Sequence, residues 1–388
     1  MEQQEEENGR QSSPTQVSNS ILSLPIDLTS EILLKLSAKS IARSRFVSKL
    51  WSSITTDSHF IKSFATRSLL LKPSILLVLK KTDKLFVFTF RQHHQNSKSY
   101  SYEPLDSYQI ECPKSFCFSF TESVHGFLCF TKSARPTVWN PTVRRFLTLP
   151  KPEMSWKNIT VFLGYDPIEG KHKVVCMPCD NFGNECRVLT LGSAKLSWRK
   201  IKTNYNQLPF AGNDARCIDG VVYYKACIDH MNHRVIMSFD VKSLKFQPIS
   251  LPWEIPWDTR SQLLIPYQGR LSFVHEEHGE NGYGIKLWVL EKTRKWSDKS
   301  FLVRFKHCET GLKTKLSGVT DAGEFIYLPS TILKSFNVLY FHPERNSFRK
   351  VVFQGIPDDD FRISNRLGDR RFHAIQSFPN HIENLSSL

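Results

Sequence analysis

The stretch LPIDLTSEILLKLSAKSIARSRFVSKLW, residues 24–51, has the apolar spacing of short amphipathic helices. Pro25 suits the first position of a helix, where its missing N–H costs nothing. Ser37 interrupts the apolar run and is a good N-cap for a second helix that contains Ile41. The pattern predicts about three short helices and a trailing helix capped by Asp57. The apolar positions that define the first and third helices are Leu28, Ile32, Leu33 and Leu36, and then Val47, Leu50, Trp51 and Ile54.

This helical block carries more large aliphatic side chains than its own interior can cover. A block of about forty residues buries too little area to be comfortably stable alone. A surplus of apolar side chains on so small a unit indicates a surface for a partner protein. The alternative is that the helices pack against the rest of the same chain. The spacing alone favours neither interpretation.

The chain changes character at Lys72-Pro73, where short β-type runs replace the helical spacing. The runs are four to eight residues long and are bounded by turn residues. They include SILLVL, KLFVFTF, GFLCFT, GVVYYKA, GRLSFVH and GEFIYLP. No long amphipathic helix is predicted after residue 70, so this part of the chain is predicted to be all-β.

The β region also repeats. A strand, a polar turn and a second strand with an aromatic residue recur, beginning at Val138, Val188, Ser238, Leu287 and Leu339. The steps between these starts are 50, 50, 49 and 52 residues. A period of about 50 residues suits the blade of a β-propeller, kelch-type units being that long, and leaves room for about six units. The closing segment RRFHAIQSF is predicted to complete the first unit. A glycine followed by a short apolar strand recurs as well, at Gly126, Gly220, Gly269 and Gly323.

Length and charge limit the classes of partner. A chain of 388 residues fits one large domain plus a small one. Lys and Arg number 52 against 37 Asp and Glu, and the surplus is scattered along the chain. A nucleic-acid site needs a concentrated basic stripe, so nucleic acid is not favoured as a partner. No apolar run reaches the roughly 20 residues that span a membrane, so no membrane contact is predicted.

The first residues indicate the compartment. Residues 1–20 are polar and lack periodicity, which predicts a disordered tail. They have neither the basic end nor the apolar core of a signal peptide. We therefore expect the chain in the cytoplasm, the nucleus or both, with its nine cysteines as reduced thiols.

The clearest candidate for chemistry is a possible metal site in the segment HKVVCMPC. His172, Cys176, Cys179 and Cys186 have some of the spacing of a zinc site. No second compact ligand pair accompanies them, and KVVCM has the pattern of a strand, so buried or edge cysteines are the favoured interpretation. The acidic run Asp358–Asp360 is interpreted as a solvated loop. With no phosphate-binding loop and no nucleophile elbow in the sequence, no catalytic residue, metal or cofactor is predicted.

The helical block resembles the F-box motif, the adaptor-binding module of cullin-type ubiquitin ligases. The ending RFVSKLW is similar to the plant branch of that family. Two residues depart from the common pattern: Ser37 stands where proline is frequent, and Phe46 stands where cysteine is frequent. The bulk of Phe46 would weaken adaptor binding. The matching residues are Leu24-Pro25, Asp27-Leu28, Glu31-Ile32-Leu33, Leu36, Ala38-Lys39-Ser40-Ile41, Arg43, Arg45-Phe46-Val47-Ser48-Lys49 and Trp51.

Residues 70–360 resemble the F-box-associated domain of plant F-box proteins. The order of the two parts makes the resemblance more specific than either part alone. It implies a propeller-like substrate-recognition domain and does not identify the substrate, so no substrate-binding residue is predicted. The segments that carry it are GFLCF, VWNPTVRRFLTLP, FLGYDPIEGKHKVV, VLTLG, SWRKI, CIDGVVYY, SFDVKSLKF, LWVLE and GVTDAGEFIYLP.

The expected architecture is a small N-terminal all-α F-box at residues 21–68, followed by an all-β, β-propeller-like domain at residues 72–388. The resemblance implies a non-catalytic adaptor that recruits a substrate to an SCF-type (Skp–cullin–F-box) ubiquitin ligase. Its partners would be a Skp-like adaptor, a cullin bound through that adaptor, and an unknown substrate protein. The alternative is a propeller that binds a ligand, a glycan or nucleic acid, or an enzyme, with the helices as a packing cap. The residues expected to contact the Skp-like adaptor are Leu24, Pro25, Leu28, Ile32, Leu33, Leu36, Ile41, Val47 and Trp51.

Overall fold

The structure is a computed structural model of the chain. The chain divides into two compact units, Met1–Phe60 and Ile61–Leu388, which we call the helical unit and the β unit. The predicted disordered tail, residues 1–20, lies outside the described residues. The structure describes residues 24–71, 73–81, 83–92, 101–112, 119–210, 215–229, 233–255, 262–279, 282–303, 314–332, 336–353, 356, 358–368, 372 and 374–388.

Within residues 24–71, four helices precede the first strand: α1 Ile26–Leu34, α2 Ala38–Ser44, α3 Lys49–Thr56 and α4 Ser58–Leu70. This confirms the predicted helical start of the chain. Pro25 stands one residue before α1 rather than in its first turn, with an extended backbone at ψ 144°. Val47 lies in the turn before α3, so the third helix begins two residues later than its apolar spacing indicated.

Side-chain caps set the starts of two helices where the sequence predicted them. The hydroxyl of Ser37 accepts a hydrogen bond from the Ser40 N–H at 3.3 Å and caps α2. The carboxylate of Asp57 accepts from the N–H groups of His59 and Phe60 at 2.8 and 3.3 Å, at the start of α4. These bonds satisfy donors that have no partner inside the helix.

The described residues of the β unit form short antiparallel strands that make up six consecutive units. Their bounds are, for the first unit, β1 Ser74–Lys81, β2 Lys84–Arg91, β4 Asp106–Glu111 and β24 Ala374–His381; for the second, β5 Leu128–Lys132, β6 Arg135–Asn140 and β7 Arg145–Thr148; and for the third, β8 Ile159–Asp166, β9 Lys171–Pro178, β10 Gly183–Thr190 and β11 Arg199–Pro209. The fourth unit has β12 Arg216–Ile218, β13 Val221–Ile228, β14 His233–Asp240 and β15 Phe246–Ser250; the fifth has β16 Gln262–Tyr267, β17 Arg270–Gly279, β18 Gly282–Leu290 and β19 Trp296–Val303; and the sixth has β20 Thr314–Val319, β21 Phe325–Pro329, β22 Phe336–His342 and β23 Ser347–Phe353.

Two sheets depart from this simple division. The third and fourth units share one eight-stranded sheet, because the end of β11 pairs with β13 at Gln207–Pro209. The short strand β3, Ser101–Tyr102, pairs in parallel with β23 and so extends the sixth unit. Neither feature interrupts the succession of units along the chain.

Apolar side chains join each unit to the next, because successive residues of a strand point to opposite faces of its sheet. In β1, Leu76 and Val78 pack towards the second unit, in a cluster with Leu128 and Trp139. The neighbouring residues Leu77 and Leu79 pack towards the sixth unit, in a cluster with Val338 and Tyr340. Four further clusters lie between the remaining neighbours. The six clusters formed by the described residues therefore close a ring, which confirms the propeller-like prediction.

The chain repeat corresponds to a structural hairpin. Each predicted start lies in the strand before the last strand of a unit, and the hairpins are β6–β7, β10–β11, β14–β15, β18–β19 and β22–β23. The recurrent glycines lie in turns directly before β5, β13, β17 and β21, where all four have positive φ, from 71° to 86°. Gly170, at φ 66° between β8 and β9, fills the double gap between Gly126 and Gly220 in the sequence.

The ring is closed by its last strand. β24 pairs antiparallel with β1, with Leu77 opposite Ser377 and Leu79 opposite Ile375. The closing role predicted for RRFHAIQSF is therefore confirmed. One local prediction was partly wrong: Asp359 and Asp360 are solvent-exposed as predicted, but they start a helix, α5, Asp359–Ser364, rather than lying in a loop. The Asp358 carboxylate caps α5 by accepting from the Phe361 N–H at 2.8 Å.

Candidate functional site

The helical unit has a small apolar interior. Leu33 of α1 and Ile41 of α2 are 1% and 0% exposed. Arg45, in the turn after α2, connects this turn to α3. Its guanidinium donates to the Thr55 carbonyl at 2.9 Å and to the Thr55 hydroxyl at 3.3 Å. The buried apolar residues of this unit are Leu33, Ala38, Ile41, Ile54 and Phe60.

Eight large apolar side chains of the same unit remain in solvent. Phe46 is 92% exposed and Val47 is 68% exposed. Scattered exposed apolar residues are ordinary on a protein surface, but eight within 27 residues exceed what so small a unit usually leaves uncovered. We call them the exposed apolar set: Leu24, Ile26, Leu28, Ile32, Leu36, Phe46, Val47 and Leu50.

The nine residues predicted to contact an adaptor fall into three groups in the structure. Trp51 is half-buried. Leu33 and Ile41 are interior residues, so their side chains are not available for direct contact in this conformation. The exposed members are Leu24, Pro25, Leu28, Ile32, Leu36 and Val47. Adaptor binding by these exposed residues stays a prediction.

The division within α1 follows from helical geometry. Residues four apart lie on one face, so Thr29 and Leu33 form a buried stripe, while Leu28 and Ile32 form an exposed one. The sequence interpretation merged these two adjacent stripes because all the positions except Thr29 are aliphatic. The threonine marks the inward face because its hydroxyl bonds to the Pro25 carbonyl at 3.2 Å and needs no water.

Three exposed residues were missing from the predicted set. Ile26 and Leu50 lie at the first and second positions of their helices, and Phe46 lies in the turn between α2 and α3. The exposure of Phe46 could have been inferred from its position in the sequence. It lies between Arg45, which hydrogen-bonds to α3, and Ser48, whose hydroxyl caps α3 by accepting a hydrogen bond of 3.1 Å. A short turn fixed at both ends leaves a bulky side chain no interior to enter.

The β unit contains a cavity of about 420 Å³ at the centre of its ring. Its wall is formed by the first strands of the fourth, fifth and sixth units, by the closing strand β24, by the segment before β5, and by Leu69 of α4. The wall is mixed: Leu263, Ile265 and Leu316 are apolar, whereas Glu122 and Arg216 carry charges. Cavities of this volume with a few convergent polar groups are the usual form of ligand sites.

Glu122 is a titratable group in that wall whose pKa is strongly shifted. Its carboxylate accepts a hydrogen bond from the Cys217 main-chain N–H, and its second oxygen lies 3.7 Å from Nε of Arg216. Its side chain is 22% exposed. Burial raises the pKa of Glu122 to about 7, and Arg216 and the Cys217 N–H oppose that rise by stabilising the charged form.

Three histidines surround the same segment. His172 Nε2 lies 3.0 Å from the Val124 carbonyl, and His381 Nδ1 lies 2.8 Å from the Ser123 hydroxyl. His125 stacks on Tyr165 with ring centroids 3.7 Å apart. Burial lowers the pKa of His172 to about 3 and the pKa values of His125 and His381 to about 4, so all three are neutral near pH 7.

The residues considered for zinc are placed as follows. His172 bonds to a main-chain carbonyl, and Cys176 and Cys186 are buried thiols whose pKa is raised by burial. Cys179 is half-buried. Among the described residues, no group of three or more His, Cys, Asp or Glu side chains has the arrangement of a metal site.

Residues 21–63 match the F-box domain, and residues 74–382 match the F-box associated beta propeller domain. The chain therefore belongs to the F-box proteins that carry an F-box-associated β-propeller domain. Over the full length of both chains, it is 50% identical to the Arabidopsis thaliana F-box protein At1g47790. It is 42% identical to the A. thaliana F-box protein At1g48060, over 94% of this chain and 93% of that protein. A third A. thaliana relative, the F-box protein At5g18160, is 40% identical over 94% of this chain and 92% of its own length.

Across the described residues, the helices are all too short or too polar to cross a membrane.

Proposed function

We propose that this chain is a non-catalytic, substrate-recognition subunit of an SCF-type ubiquitin ligase. The exposed apolar set lies against a Skp-like adaptor, the adaptor links the chain to a cullin, and the β unit holds a substrate protein. Tethering raises the effective concentration of substrate lysines near the ubiquitin-conjugating enzyme, while the chemistry belongs to other subunits. The proposal places the chain in the cytoplasm, the nucleus or both.

The observation that carries the proposal is the exposed stripe of α1. Leu28 and Ile32 are 47% and 50% exposed although they belong to the segment that matches the F-box domain. Burying apolar area against a partner is worth about 25 cal/mol per Å² removed from water, so a surface of this kind favours protein association. Aliphatic side chains one helical turn apart are the anchors by which a helix packs into a groove.

The test is co-purification of the full chain with a recombinant Skp-like adaptor and cullin. A Leu28→Asp, Ile32→Asp double variant places two charges in the exposed stripe without entering the core. Leu33→Asp is unsuitable, because Leu33 is buried and a charge there would unfold the helical unit. We expect wild type to retain the adaptor and the double variant to lose it.

The matched control is Leu105→Asp, which changes a leucine of the β unit that is 51% exposed. It should bind the adaptor as wild type does. Far-ultraviolet circular dichroism of each variant verifies that the fold is retained. A wild-type chain that does not retain the adaptor, or a folded double variant that retains it fully, would count against the proposed function.

A further inference from the structure

The central cavity of the β unit offers more hydrogen-bond donors than acceptors. Nη1 of Arg216 donates to the Ala215 carbonyl at 2.8 Å, which orients the guanidinium and leaves its Nη2 unused by the described residues. The Gln376 side-chain oxygen accepts a hydrogen bond from the Phe120 N–H at 3.3 Å. The amide nitrogen of Gln376 takes no part in that bond. Lys315 is exposed, and its side chain makes no hydrogen bond or ion pair with another described residue.

The acceptors in the same wall are largely occupied. One oxygen of the Glu122 carboxylate is held by the Cys217 N–H, and the other faces Arg216. The side-chain oxygen of Asn380 accepts from Gln92 and from the Asp321 N–H, at 2.6 and 2.8 Å. A ligand that supplies acceptors therefore fits this cavity better than one that supplies donors.

The charges of the wall also favour a ligand that supplies acceptors. Arg216 and Lys315 are cationic, and Glu122 is the one carboxylate that the described residues place in the wall. Even with Glu122 ionised, the cavity carries a net positive charge. An anionic ligand group neutralises that charge in a partly dehydrated setting, where ion pairs are stronger than in water.

The apolar part of the wall adds a second requirement. Leu263 and Leu316 are half-buried and Ile265 is buried. A bare inorganic anion would leave the exposed parts of Leu263 and Leu316 uncovered. An anion attached to a hydrocarbon or aromatic body would cover them.

We propose that the central cavity binds a carboxylate carried on an apolar body. The carboxylate lies against Arg216, with Lys315 as a second cation, and the body packs on Leu263 and Leu316. The carboxylate belongs either to a free organic acid or to an acidic residue beside an apolar one in a polypeptide. The proposal goes beyond adaptor binding and holds whether or not the chain joins a ligase.

The ionisation of Glu122 should make carboxylate binding depend on pH, which can be measured. Its pKa of about 7 makes it neutral at about pH 6 and anionic at about pH 8, so it repels a bound carboxylate only at the higher pH. The other groups near it keep one charge state over that range. Burial lowers the pKa values of His125 on its own segment and His381 on β24 to about 4, and it raises the pKa of Cys217 on β12 to about 12.

The experiment is isothermal titration calorimetry of the full chain with 3-phenylpropionate. The neutral comparison ligand is 3-phenylpropanamide, and the cationic one is phenethylamine. Both keep the aromatic body and change the charge. We expect the carboxylate to bind at least about tenfold more tightly than either comparison ligand at about pH 6. Its affinity should fall between about pH 6 and pH 8. In Glu122→Gln, which cannot ionise at this position, that fall should disappear.

Two substitutions localise the binding. Arg216→Gln should weaken carboxylate binding at least about tenfold, and Lys315→Gln about threefold, because each removes one cation from the wall. Lys315 is exposed, so its substitution leaves the packing intact even if Arg216→Gln alters the unit. The control is Lys171→Gln, an exposed lysine at the start of β9 and outside the cavity, which should bind as wild type does.

A second arm separates the two sources of the carboxylate. The acetylated and amidated dipeptide Phe-Glu is titrated beside its Phe-Gln counterpart. Binding of Phe-Glu with the same dependence on Arg216 and Lys315 assigns the site to acidic polypeptide. Binding of 3-phenylpropionate alone assigns it to a small acid. The proposal is overturned by equal affinity for the carboxylate and the amide, by unchanged affinity in Lys315→Gln, or by no binding of any probe.

Discussion

The side-chain amide of Asn140, at the end of β6, donates to the main-chain carbonyl of Asn384 at 3.0 Å, across 244 residues of sequence. The same nitrogen donates to the Ser386 carbonyl at 2.9 Å, and the Asn384 N–H donates to the Thr142 hydroxyl at 3.0 Å. Residues after the closing strand are therefore fixed to the second unit of the ring. This contact adds to the closure that β24 makes with β1.

Asn140→Ala should destabilise the β unit by about 1–3 kcal/mol, because it leaves two carbonyls of the closing segment without their donor in a buried place. The free energy of unfolding, measured by urea titration of the full chain, checks this. Asn158→Ala is the matched control, since its amide bonds to Asp180 at 2.9 Å on the exposed surface. That variant should change stability by less than about 0.5 kcal/mol. Equal stability of the two variants would contradict the fixing role of Asn140.

The turn glycines differ in what surrounds them, and this gives a second test. A Cβ added at Gly126 would lie 2.7 Å from both the Asn384 Cβ and the Ile382 carbonyl, whereas one at Gly269 would meet nothing within 4 Å. Both have positive φ, which costs an alanine about 1 kcal/mol. Gly269→Ala should lose about that amount, and Gly126→Ala clearly more, because the closing segment must also move. Thermal unfolding of both variants measures the difference, and equal melting temperatures would be evidence against it.

Much of the β unit could be predicted because its repeat is local. A strand, a polar turn and an aromatic strand form one hairpin, and each hairpin lies within a short span of sequence. The turn at Gly126 needs a positive φ, and the presence of glycine at this position indicates that conformation. Ring closure could be predicted as well, since a short apolar strand at the end of a repeat array has no other partner.

The sites were harder to predict because they depend on which face of a helix points inward and on residues that are far apart in the sequence. Whether Leu33 or Ile32 faces inward depends on a rotation of α1 that four neighbouring aliphatic residues do not define. The cavity joins Glu122 to Arg216 and Gln376, which are far apart in the chain and have no shared motif. Only the closed ring brings them to one wall. The short helix α5 was missed because three consecutive aspartates have the composition of a loop.

The two stripes of α1 predict opposite effects of truncation. Leu33→Ala removes a side chain that is 1% exposed and should cost about 2–5 kcal/mol of local stability. Ile32→Ala removes one that is 50% exposed and should change stability by less than about 0.5 kcal/mol. Hydrogen exchange of the α1–α3 amides in the full chain separates the helical unit from the β unit. Similar protection in both variants would mean that α1 is rotated relative to this structure.

Acid should destabilise the β unit through its buried histidines. Burial lowers the pKa values of His125, His172 and His381 from 6.5 to between about 3 and 4. Below about pH 6.5 the unfolded chain therefore binds protons that the folded chain does not, and stability falls as the pH falls. Glu122 acts in the opposite direction, since its raised pKa makes the folded chain bind a proton between about pH 4.5 and 7. Three groups outweigh one, so the net effect of acid from these four groups is a loss of stability.

His381→Gln isolates one of these contributions. His381 is 3% exposed, and glutamine stays neutral over the whole range, so the variant should lose less stability than wild type between about pH 6.5 and 5. The slope should be shallower by up to about 1.4 kcal/mol per pH unit, the value for one proton. Urea unfolding at several pH values measures both slopes, with His59→Gln on the exposed start of α4 as the control. Equal slopes in His381→Gln and His59→Gln would mean that His381 is not held neutral by burial.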